Sequence, residues 1–259
     1  MKNNIEKKPS LIILDIGSHK LEELQVFLNP YYRQLFIYLK WLIKLILKTI
    51  FKFKKKYFVQ LKNQLKVIDF YFVRRSKYNV TIITIEPNPS VLVPYIKQFS
   101  KNYKVIYFPV AILGHDSLNE FDLKILYSYG DSISHSLYDK KRPNTKNDNI
   151  CIALKLNFIW NGLIKNKMID EKSEVILRMN CEGAELGILK ECDSLGLRIK
   201  CLIGSIGDIT KIHGSKKGEE ASLLLQKMNC NYYYFKGDDP ATWYSAINVW
   251  SKYTNNYII

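Results

Sequence analysis

The chain lacks a long uncharged apolar run. A transmembrane helix needs about 18 or more nearly uncharged residues, and the stretch 35–51 is broken by Lys40, Lys44 and Lys48. It is not expected to span a membrane. There is no C-x-x-C pair, and the cysteines are odd in number at five: Cys151, Cys181, Cys192, Cys201 and Cys230. A reducing, cytoplasmic compartment without a disulfide framework is therefore expected. The four histidines are scattered without ligand spacing, so no metal site is expected. No G-x-G-x-x-G follows the first strand, which disfavours a nicotinamide dinucleotide. Residues 1–10 are polar and the apolar run after them is short and contains Asp15, so no secretory signal peptide is expected. Acids are nearly missing from residues 31–77, where thirteen Lys and Arg face only Asp69, a net +12 of the whole chain's +15. So local an excess points to one basic module rather than to a surface built for nucleic acid.

What is present begins with Leu-Ile-Ile-Leu-Asp-Ile-Gly-Ser at 11–18. Four apolar residues suit a strand buried on both faces. Asp15 and Gly17 break the run, and Leu21, Leu24 and Phe27 resume it at helical spacing over 20–28. Strand, short glycine turn and helix open a Rossmann-like unit. Further strands are expected at 80–85, 103–108, 120–129, 151–156, 175–179 and 200–206. Helices are expected at about 57–75, at 90–99, 158–164, after Gly183 through Glu191, and at 219–228. The polar stretch 140–149 reads as a mobile loop. Segments 232–235 and 244–250 read as closing strands, with an antiparallel arrangement open to them. Strands alternating with helices predict an α/β fold: a parallel sheet with helices on both faces, in one domain over 1–259.

Two stretches carry the chemistry. A Rossmann ligand site needs a tight turn and, after the second strand, an acid for ribose hydroxyls. Asp15-x-Gly17 supplies the turn and Glu86 the acid. They stand 71 positions apart, and leaving out the 47 residues of 31–77 reduces the gap to 24, close to the usual spacing of about 20. The basic segment thus reads as an insertion before the second strand. The other stretch is Arg178-Met-Asn-Cys-Glu-Gly-Ala-Glu185, where a strand runs into an acidic turn and a helix. Acids in a helix's first turn also satisfy its dipole, which is the plainer account of Glu182 and Glu185.

These residues, in this order, resemble the FkbM family of S-adenosylmethionine-dependent methyltransferases. The likeness rests on Leu14-Asp-Ile-Gly17, Glu86-Pro-Asn-Pro89, Val110-Ala-Ile-Leu-Gly114, Gly130-Asp-Ser-Ile-Ser134 and the stretch from Arg178 to Glu185. It covers 11 to about 189 apart from the insertion. The resemblance implies a class I methyltransferase fold, S-adenosyl-L-methionine as cofactor, and methyl transfer to an oxygen of a sugar, glycolipid or small metabolite. It implies Asp15, Gly17 and Ser18 at the methionine end of the cofactor and Glu86 at the ribose. Ala111 falls near the adenine, and Asn180 and Glu182 in the turn facing cofactor and acceptor. The chain departs from the pattern at Ser18-His19-Lys20, where the family commonly has further glycine, and at Asn180, where it has Asp.

A sugar hydroxyl must lose its proton as it attacks, a task for a carboxylate or histidine within hydrogen-bond reach. Glu182 ranks first and His135 second, since an unperturbed imidazole titrates near neutrality; Asp131, His19 and Asp208 follow. For residues 31–77 three accounts compete: an amphipathic helix on an anionic membrane, an apolar face packed on the domain or a second subunit, and phosphate contacts to nucleic acid. The last is least favoured because the aromatics form no recognition motif. The sequence thus predicts a methyltransferase that is cytoplasmic or peripheral on a membrane. The alternative is a catalytically inactive relative that binds a membrane or partner.

Overall fold

The computed structural model describes residues 10–18, 31–52, 57–58, 79–101, 103–129, 134–137, 146–181, 183–204 and 206–234. The chain divides into two compact units, one of residues 1–20 and 78–234, the other of 21–77 and 235–259.

The first unit is built on a six-stranded sheet. Its strands are β1 (Ser10–Ile16), β2 (Asn79–Ile85), β3 (Lys104–Phe108), β8 (Glu174–Met179), β9 (Ile199–Gly204) and β10 (Asn231–Tyr234). They lie in the order β10-β9-β8-β1-β2-β3, and every neighbouring pair is parallel. β1 pairs Leu14 with Ile83 on one side and with Leu177 on the other. From Leu11 to Ile16 every residue of β1 is buried, because both faces of the sheet are covered. The core joins Ile12, Leu14, Ile83, Leu177 and Leu202 to residues of α3 (Leu156–Lys165), α4 (Glu185–Ser194) and α6 (Ser215–Lys227). α2 (Pro89–Phe99) starts where Asn88 accepts a hydrogen bond from the Ser90 amide, with proline in its first turn. α5 (Gly207–His213) precedes α6.

A second sheet of four strands follows β3. β4 (Ala111–Ile112), β7 (Lys146–Leu154), β5 (Phe121–Tyr129) and β6 (Ser134–Ser136) lie in that spatial order. One face packs Ala111, Leu126, Cys151 and Ala153 together. The other presents Phe121, Leu123 and Ile125 of β5 beside Ile152 and Ile150 of β7, all exposed.

Several expectations need correction. Residues 146–149 are strand rather than loop. Only Ala153 and Leu154 of β7 pair with β4, so the polar end runs beyond that contact while still bonded to β5. β10 runs parallel to β9, because α5 and α6 make the crossover that a parallel return requires. The strand expected at 200–206 stops at Gly204, and α5 occupies 207–213 where no element was expected. The helices expected at 20–28 and about 57–75 and the strand at 244–250 fall outside the described residues, save Tyr57 and Phe58, which are helical.

In the second unit, α1 (Tyr31–Lys52) is a continuous 22-residue helix. Among the described residues no helix is long and apolar enough to cross a membrane.

Candidate functional site

The strand order reverses at β1: β2 and β3 lie on one side of it, β8, β9 and β10 on the other. In open α/β sheets ligands bind beyond the carboxyl ends of the strands at such a reversal. The residues just past β1, β2 and β8 therefore define the candidate site. Three backbone bonds carry the ladders past the strand ends: Gly17 N to Ile85 O at 2.9 Å, Asn180 N to Ile16 O at 3.1 Å, and Glu86 N to Phe108 O at 3.2 Å.

Gly17 is required twice over. Its φ is +73°, which side chains disfavour, and a Cβ there would lie 2.2 Å from the Asn180 carbonyl oxygen. The turn is closed from below by side chains. Ser18 is fully buried; its hydroxyl donates to Asp15 O at 2.9 Å and accepts from the Thr84 hydroxyl at 2.5 Å. Asp15 is also fully buried, and opposite it in the ladder stands Arg178. The Arg178 guanidinium meets the Asp15 carboxylate at 3.2 Å and donates to the Gly17 carbonyl. Asp15 and Ser18, expected at the cofactor's methionine end, thus brace the turn beneath the crevice. Gly17 and Asn180 are the partly exposed members of that group.

Glu86 sits directly after β2, largely buried. Its carboxylate accepts from the Asn88 amide at 3.0 Å and its carbonyl from the Tyr107 hydroxyl at 2.9 Å. Burial, then the Glu86 charge, raises the Tyr107 hydroxyl pKa to about 12. Ala111 is buried in β4, opposite Ala153.

After β8 the chain turns on Glu185, fully buried at the start of α4. Its two carboxylate oxygens accept from Cys181 N at 3.0 Å and Gly183 N at 2.8 Å. Burial outweighs these bonds and lifts its pKa to about 7. Burial likewise holds the Cys181 thiol well above its usual value. His213 meets the Gly183 carbonyl at 3.0 Å. Glu182, Asp131 and His19 lie outside the described residues. His135 lies in β6 opposite Ser128, and its side chain is outside them as well. Asp208 is paired with Lys211 at 2.8 Å in α5.

The structure adds a cavity of about 360 Å³ that the sequence did not announce. It runs from Gly183 and His213 to His115, with Lys124, Lys190 and Lys217 on its walls. α4 and the loop after β4 meet tightly there, since a Cβ on Gly187 would come within 2.9 Å of the Gly114 Cα. His115 Nδ1 is 2.8 Å from Glu191 Oε1, while Oε2 accepts from Asn157 N at 3.0 Å. The imidazole is about two-fifths exposed and its carboxylate almost wholly buried. A buried carboxylate fixed by a backbone amide orients the imidazole and draws a proton to Nδ1, the nitrogen that faces it. Lys190 and Lys217 both grip Glu220, at 2.7 and 2.8 Å, and hold its carboxyl down to about 2. Nothing in the sequence joins His115 to Glu191, 76 positions apart. Among the described residues no cluster of His, Cys, Asp and Glu could hold a metal ion.

No protein-family model, curated protein or solved structure matches the chain.

Proposed function

We propose that the chain is an S-adenosylmethionine-dependent O-methyltransferase acting on a hydroxyl of a sugar or glycolipid-type acceptor. The observation that carries this reading is the Gly17 turn, pressed against the Asn180 backbone at the reversal of strand order, with Glu86 directly after the neighbouring strand. A turn too tight for a Cβ draws the ends of β1 and β8 together at the reversal, and an acid after β2 suits ribose hydroxyls, so these residues fit the cofactor. Gly17 and Asn180 would hold its methionine end, Glu86 its ribose, and the surroundings of Ala111 its adenine. When bound, that cofactor supplies a methyl group on a sulfonium.

The chain's own task is to align an acceptor oxygen and remove its proton. His115, held by Glu191 on the wall of the cavity that reaches Gly183, has the geometry of such a base. Glu182, one residue before Gly183 in the chain, and His135 remain the candidates that the sequence ranks first and second. Calorimetric titration with S-adenosylhomocysteine tests the reading. Wild type should bind it, and Glu86→Ala should weaken binding at least about tenfold, the effect of a lost charge-assisted hydrogen bond. Folded protein that gives no heat at millimolar ligand would end the proposal.

A second reading, a non-catalytic methyltransferase-like protein, is favoured by the inward commitment of Asp15 and Ser18 and by an amide at Asn180. It predicts that null titration.

A further inference from the structure

Helix α1 is divided around its axis into three sectors. At about 100° per residue, Leu42, Leu45 and Thr49 fall within one arc of about 60°, and these three are buried. Next to them Leu39, Ile43, Ile46, Leu47 and Ile50 share an arc of about 100°; all are exposed, Ile43 at 57% and Ile50 at 51%. Lys40, Lys44, Lys48 and Lys52 lie in the remaining arc, all four exposed, and Phe51, 78% exposed, stands among them. The apolar surface of α1 is thus only partly used inside the protein, and the unused part runs beside an unbroken row of ammonium groups.

The occupant of that surface must cover apolar side chains and supply negative charge together. A second copy of α1 meets the first need only: residues 31–52 contain no acid, so two such faces would bring lysines against lysines. Nucleic acid meets the second need only, leaving five large apolar side chains in water. An anionic bilayer meets both, with acyl chains for the apolar arc and headgroup phosphates and carboxylates for the lysines.

We propose that α1 lies in the plane of an anionic membrane surface, with Leu39, Ile43, Ile46, Leu47 and Ile50 at the acyl boundary and Lys40, Lys44, Lys48 and Lys52 among the headgroups. The lysines interrupt the helix too often for it to cross. Leu42, Leu45 and Thr49 remain on the protein side. The inference rests on α1 alone and does not depend on methyl transfer.

Flotation of the full chain with phosphatidylcholine vesicles, with and without phosphatidylserine, provides the test. Two variants accompany wild type: K40E/K44E/K48E, and Ile43→Ser with Leu47→Ser and Ile50→Ser. Every substituted residue is exposed, so circular dichroism should show both variants folded. Wild type should float with the phosphatidylserine vesicles and much less with phosphatidylcholine alone. Charge reversal should lower the partition coefficient at least about a hundredfold, taking each lysine at about fivefold. The serine variant should lower it at least about tenfold. Wild type that stays unbound overturns the proposal, as does equal recovery on the neutral vesicles or a folded variant that floats as wild type does. A dimer that dissociates in the serine variant, without flotation, assigns the face to a second copy and overturns it too.

Discussion

The two sheets of the first unit spend their apolar residues in opposite ways. In the parallel sheet β1 is buried from Leu11 to Ile16, and the strand carries its polar residue, Asp15, inside. In the four-stranded sheet the large apolar residues Phe121, Leu123, Ile125, Ile150 and Ile152 stand on the exposed face. The covered face there is made of smaller groups, such as Cys151 and Ala153, with Lys124 at the cavity wall. A strand covered on both faces must pair any charge it holds, whereas a strand covered on one face places polar and apolar residues by alternation. The first sheet therefore sets rigid backbone at the candidate crevice, and the second lends side chains to the cavity lined by His115 and Lys124.

The largest test of this contrast is Arg178→Ala. It leaves the Asp15 carboxylate buried without its ion-pair partner, which should cost about 3–5 kcal/mol in urea unfolding. A loss below about 1 kcal/mol would mean that Asp15 does not depend on its neighbour, and the contrast would fail at its centre.

The pH dependence of stability comes next. Glu185 has a folded pKa of about 7 against the ordinary 4.5 of a glutamate, burial being the main cause. Between those values the folded state binds the proton that the unfolded state has released. The stability Glu185 contributes is therefore full below about 4.5 and lost as pH rises through about 7, by roughly 3 kcal/mol or less. Thermal unfolding across that range should show the fall, and Glu185→Gln, which cannot ionise, should flatten it. An identical slope in both proteins would assign the fall to another group.

The smallest effect is expected on the open face of the second sheet. Ile150→Thr keeps a β-branched side chain at an exposed position and should change stability by no more than about 0.5 kcal/mol. A core-sized loss would show that the face is covered.

The strands of the parallel sheet were legible in the sequence because double burial writes itself as a continuous apolar run, as in Leu11 to Leu14 and Val175 to Leu177. The polar end of β7 was not, since Lys146 to Asn149 join a strand through main-chain bonds that leave no side-chain pattern. α5 was missed because seven residues beginning at Gly207 are too few for a helical period. At the site, Gly17 was visible as a turn, and Glu86 as an acid after a strand. The Asp15–Arg178 pair had one faint signal, an arginine inside the apolar run from Val175 to Met179. His115 and Glu191 had none, because only the fold brings α4 against the loop after β4.

The parallel ladder also sets an order of events during synthesis. Among the described strands β1 is made first, yet its partners lie far along the chain: Leu11 pairs with Val80 on one side and with Glu174 on the other. Contacts of such sequence separation form slowly, since long loops must close before any pairing rewards them. As the chain leaves the ribosome, β1 has one bare edge until β8 appears, beginning at Glu174. Until then Leu-Ile-Ile-Leu is an apolar strand with an open side, the sort of segment that seeks a partner elsewhere. The central strand that carries the Gly17 turn is, up to that point, the part of the nascent chain most in need of shelter.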